Sequence, residues 1–71
     1  MPLSQVSRGK KVTIKMIQAG RGLQARLASM GLIPGVEIRV MQNQPVGPFV
    51  IAFKGSRILL GRGMARKIYV E

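Results

Sequence analysis

Side chains capable of covalent or acid–base chemistry are scarce in this sequence. It has two carboxylates, Glu37 and Glu71, and no His or Cys. Without imidazole or thiolate there is no Ser-His or Cys-His nucleophile pair. The commonest general acid/base is also missing. The two glutamates stand 34 positions apart (71 − 37), one of them the last residue. That is a poor basis for a paired-carboxylate site. They are also too few for a transition-metal site, which wants imidazole, thiolate or several carboxylates. The residues therefore point to a non-enzymatic chain with no catalytic group, no cofactor and no metal-ligand set. Any pH switch built on His is excluded too.

Two further patterns bear on nucleotide binding. Gly20-Arg21-Gly22-Leu23-Gln24-Ala25 fits G-x-G-x-x-A, the form of a dinucleotide-binding turn. No acid follows at the required distance, and no second parallel strand follows at βαβ length. It reads as a turn feeding a helix. No G-x-x-x-x-G-K-[ST] string is present, so the chain carries no P-loop.

Charge is the strongest compositional signal. Twelve Lys and Arg against two acids give a formal net charge of +10, spread along the chain. Solubility of a small domain needs only ~2 to 8 charges. The excess points to an acidic partner surface, nucleic acid or anionic lipid. For nucleic acid the aromatics are few: Phe49, Phe53 and Tyr69, with no Trp. Single-strand binders stack bases on such rings. No basic recognition helix is visible either. A small basic barrel binding RNA or DNA is therefore the alternative reading.

The elements that must position these charges follow from periodicity. Lys11 to Met16 alternates polar and apolar, a half-buried strand with Val12, Ile14 and Met16 inward. Leu23, Leu27 and Met30 fall at helical spacing and form one buried stripe. Gly31 suits the left-handed position past a helix end, with Leu32 folding back on Leu27. Pro34-Gly35 fits the centre of a type II turn. Val36 to Val40 is a second strand, and Gln42 to Pro48 a Pro/Gly-rich loop. Phe49 to Phe53 is a strand apolar at both parities, with Phe49 and Phe53 on one face. Lys54 to Arg57 is a hairpin signal, and Ile58 to Leu60 its partner strand. Gly61-Arg62-Gly63 breaks the chain, Met64 to Arg66 forms a helical turn, and Lys67 to Val70 is the last strand.

Residues 1–71 thus read as a single, mainly β domain. It is a small SH3-like barrel of about five strands, with a short α-helix inserted after the first strand. An OB-type barrel is the runner-up, its helix normally lying between strands three and four. Zero Cys excludes a disulfide framework. The N-terminus has no apolar h-region, so no signal peptide is expected. The longest charge-free stretch, Val40 to Phe53, is broken by Pro45, Gly47 and Pro48. It is too short to span a bilayer, which takes ~20 residues. A cytoplasmic location is expected.

One string carries a family resemblance. Arg26-Leu27-x-x-Met30-Gly31-Leu32-Ile33-Pro34-Gly35, followed by Val36-Glu37-Ile38, resembles the FeoA family of ferrous iron transport proteins. Leu3, Gly9, Gly47-Pro48, Lys54-Gly55 and the closing Leu60, Ala65, Ile68 and Val70 look like further family elements in order. The resemblance covers nearly the whole chain. It implies an SH3-like fold and an accessory of bacterial ferrous iron uptake. The implied partner is the cytoplasmic, GTPase-bearing region of the FeoB-type membrane transporter, which would also bring the chain to the inner membrane face. Two stretches depart from the family. The segment between Gly9 and Arg26 is compact, and Gly61-Arg62-Gly63-Met64 replaces charged residues.

Candidate partner contacts are Arg26, Ser29 and Ile33 around the helix and its exit, and Arg62, Arg66 and Lys67 near the C-terminus. Gly31, Leu32, Pro34 and Gly35 are expected to define the turn rather than to touch a partner. An unpaired strand edge on so small a barrel also invites pairing with a second copy.

Overall fold

The computed structural model describes residues 1–71. A 3₁₀ turn (Leu3–Gln5) leads into β1 (Lys11–Ile17). Then come α1 (Arg21–Ser29), β2 (Glu37–Asn43), β3 (Phe49–Phe53), β4 (Ser56–Leu60), α2 (Arg62–Ala65) and β5 (Ile68–Val70). The strands form one antiparallel sheet in the order β4-β3-β2-β1-β5. β1 is the corner. Lys11–Thr13 pairs with β2, whereas Ile14–Ile17 pairs with β5. A strand that changes partner midway lets the sheet bend over its own core. The helix lies between β1 and β2, as expected. Strands three and four are joined only by the Lys54-Gly55 turn, which rules out the OB arrangement.

Every buried residue is apolar. Ile14, Ile38, Val40, Phe49, Ile51, Leu60 and Ile68 supply the sheet's inner face, and Leu3, Leu27 and Leu32 close over it. The N-terminus covers the outer edge of β5. The Val70 N–H donates to the Met1 carbonyl at 2.8 Å, and the Met1 ammonium donates to the Val70 carbonyl at 3.0 Å.

Two bulges correct the sequence reading. In β1 the register shifts between Ile14 and Met16. One extra residue in a strand reverses the facing of all that follow. Met16 therefore points outward, 47% exposed, and Ile17 takes the buried position expected of it. In β2 the register shifts between Val40 and Gln42. The strand runs on to Asn43, into residues expected as loop, and Asn43 turns inward.

The helix exit is as the sequence implied. The Leu32 N–H donates to the Leu27 carbonyl and the Gly31 N–H to the Ala28 carbonyl, both at 2.9 Å. These two bonds are a Schellman ending. Gly31 has φ +87°, and a Cβ there would lie 2.8 Å from Phe53 Cε2. Gly35 has φ +98° and completes the type II turn, with the Val36 N–H donating to the Ile33 carbonyl at 3.3 Å. Met30 leaves the expected stripe: it caps the helix and is exposed. α2 begins at Arg62 rather than Met64, with Gly61 as its N-cap.

Candidate functional site

The two acids are closer than their spacing suggested. Thr13 lies opposite Glu37 across β1 and β2. On its other side Thr13 exchanges backbone hydrogen bonds with Glu71, at 3.1 and 3.0 Å. Both glutamates therefore flank one residue, about two strand spacings (~10 Å) apart. Glu37 turns to Lys11, Oε1 to Nζ 4.0 Å, with both side chains exposed. This is the molecule's one ion pair, and exposed pairs of this kind contribute only ~0 to 1 kcal/mol. No group of three or more His, Cys, Asp or Glu comes together as a metal site.

The six contact candidates fall into different settings. Arg26 is exposed in the last turn of α1, where a cation also complements the carbonyl end of the helix dipole. Ser29 lies beside it, but its hydroxyl donates to the Arg26 carbonyl at 2.7 Å. Ile33 is 46% exposed at the start of the type II turn. These three share the C-terminal end of α1. Arg66 and Lys67 are exposed between α2 and β5. The Lys67 carbonyl accepts from the Gln18 N–H at 2.8 Å, which sets this pair beside the loop leading into α1.

Arg62 is turned inward. Its Nη1 donates to Asn43 Oδ1 at 3.0 Å, while Nε and Nη2 are shielded and meet no acceptor of the chain. Asn43 in turn donates to the Ser4 and Val6 carbonyls at 3.1 and 2.8 Å. The Asn43 amide thus ties the N-terminal turn, the end of β2 and α2 together. Nothing in the sequence flagged Asn43, because only the bulge in β2 turns it inward.

A further charged surface lies on the outer face of the sheet. Lys11, Arg39, Ala52 and Arg57 are successive register partners across β1, β2, β3 and β4. Cross-strand partners point to the same face, so three cations form one row with a small residue between two of them. Like charges directly opposite are unfavourable. Here the pair is drawn apart: Lys11 leans to Glu37, and Arg39 Nη1 donates to the Gly9 carbonyl at 3.0 Å. An open hollow of about 190 Å³ lies beside Ala52, lined by Lys11, Glu37, Arg39, Phe53 and Lys54 among others. The Lys54 ammonium sits 5.4 Å from the Phe53 ring centroid.

Comparison with known proteins decides the family. The FeoA domain model matches residues 1–71. The chain belongs to the FeoA family. It is 47% identical over 70 residues to a Methanocaldococcus jannaschii protein named "Putative Fe(2+) transport protein A", covering 99% of this chain and 84% of that one. A crystal structure of the iron uptake regulatory protein FeoA superposes with TM-score 0.90 at 37% identity, over 99% of this chain and 93% of that one. FeoA from Stenotrophomonas maltophilia complexed with zinc, described as a prokaryotic SH3 domain protein, gives TM-score 0.84 at 25% identity. That match covers 100% of this chain and 89% of the other. The fold is the SH3-like barrel expected from the FeoA-like turn string.

Proposed function

We propose that this FeoA-family chain is a non-enzymatic, cytoplasmic accessory of ferrous iron uptake that acts as a single domain. It docks on the cytoplasmic, GTPase-bearing region of an FeoB-type transporter. The observation that carries the reading is the surface. Twelve cations face two acids, with one exposed ion pair and no clustered metal ligands. Such a surface suits an acidic protein face better than a metal ion. No helix is long and apolar enough to cross a membrane; in this reading membrane proximity comes through the partner. Arg26, Ile33, Arg66 and Lys67 are the proposed contacts. Ser29 and Arg62 support them through the helix end and the Asn43 junction.

Co-purification with the intact transporter at low salt tests this. Retention of the transporter supports docking, and the triple change R26E/R66E/K67E should reduce it about tenfold or more. Absence of binding at low salt removes the reading. The alternative, RNA or DNA binding, predicts oligonucleotide affinity that falls steeply with salt.

A further inference from the structure

The two ends of the sheet differ. The outer edge of β5 is covered by Met1 and Pro2. β4 stands at the other end, paired only with β3. Phe53 and Ser56 flank a two-residue turn, Lys54-Gly55, with φ of +48° and +78°. That is a type I′ hairpin, whose flanking residues exchange hydrogen bonds. Pairs then alternate along the ladder. Ile58 and Leu60 bond to β3, whereas the N–H and C=O of Arg57 and Leu59 point away from it. No backbone hydrogen bond from a loop or turn reaches either residue.

The side chains on that edge are distinctive. Leu59 is 69% exposed. Its cross-strand neighbour on the same outer face is Val50. Arg57 follows on the same face and ends the row Lys11, Arg39, Ala52, Arg57. The edge thus presents free main-chain donors and acceptors, one apolar side chain and one cation, on a chain whose net charge is +10.

We infer that β4 is a docking edge for an extended acidic peptide segment of another protein, which adds to the sheet as a sixth strand. Main-chain pairing gives such additions their affinity, and alternate side chains give their specificity. A residue opposite Arg57 and one opposite Leu59 lie two positions apart on the added strand. The fitting segment therefore carries a carboxylate two residues from an apolar side chain. A second copy of this chain fits poorly, because it brings another +10 and its own edge arginine. A lipid surface or a nucleic acid answers the charges but leaves the Arg57 and Leu59 backbone groups without strand partners. This inference rests on reading the chain as a protein-contact module.

The test uses the full chain labelled with ¹⁵N. The probe is a short blocked peptide with valine two positions from glutamate and further glutamates flanking them. Its control has the same side chains, with the edge-facing amides N-methylated. The expected result is slowed amide hydrogen exchange at Arg57 and Leu59, with Ile58 and Leu60 little changed. The control peptide loses that protection, and Arg57→Glu weakens binding about tenfold. Shifts confined to Arg26, Arg66 and Lys67 with Arg57 and Leu59 unprotected would overturn the inference by placing the peptide on the transporter-contact face instead. So would equal binding of the N-methylated peptide. Protection of both amides without peptide, growing with protein concentration, would assign the edge to a second copy. Phosphatidylserine vesicles that perturb this face while the peptide does not would assign it to lipid. If the peptide fails while the intact transporter still binds, only the edge is wrong. If both fail, the docking reading falls with it.

Discussion

Gly31 is held by two constraints that sequence reasoning separates poorly. Its φ of +87° is a turn requirement, and that much is legible from a Gly placed after a helical stripe. The contact with the Phe53 ring, 2.8 Å from where a Cβ would lie, is a packing requirement between residues 22 positions apart (53 − 31). No local pattern shows it. Gly31→Ala should destabilise the fold by about 2 kcal/mol, since it meets both penalties. Gly22 is the control. It lies in the first turn of α1 at an ordinary φ, with open space where a Cβ would stand. Gly22→Ala should stabilise by ~0.4 to 1 kcal/mol, because it narrows the unfolded chain's freedom at a compatible φ. Urea titrations of the two variants check both signs, and equal effects would contradict this account.

The elements were legible wherever periodicity ran uninterrupted. Strand Phe49–Phe53, the hairpin after it and the helix exit were all recoverable. Residues beyond the bulges were not. Lys15 and Met41 each add one residue against the partner strand, which puts Met16 outside and Asn43 inside. A bulge arises from pairing between distant strands, so alternation alone continues straight through it. The same cause hid the role of Arg62. It read as one of a basic surface cluster, but the inward Asn43 amide turns its guanidinium toward the protein. Asn43→Ala would strand the Ser4 and Val6 carbonyls and leave Arg62 without its one acceptor. A cost of about 2 kcal/mol is expected, as for buried polar groups that lose their partners. Thermal denaturation measures it. Unchanged stability would mean that the Asn43 junction is not structural.

At the scale of the whole molecule, charge dominates. The principal-axis extents are 28 × 22 × 20 Å. At ~10 mM salt the Debye length is about 30 Å, so every cation feels every other; at ~150 mM it is about 8 Å. With a +10 charge and one weak ion pair, self-repulsion opposes folding most at low salt. The midpoint of thermal unfolding should therefore rise between those two concentrations, and a fall would show that attractive pairs dominate. The charge excess was evident in the composition, but its arrangement was not. The Lys11–Arg39–Arg57 row exists only because three registers align, and the β4 edge is open because no segment of the chain pairs along it. The proposed role of this surface is to meet a protein. The most direct measurement is a titration of the labelled chain with the intact transporter in nanodiscs, against empty nanodiscs of the same lipid, at ~50 and ~200 mM salt. Saturable binding to the transporter that weakens with salt is expected. No binding at the lower salt, or equal binding to the empty nanodiscs, would contradict it.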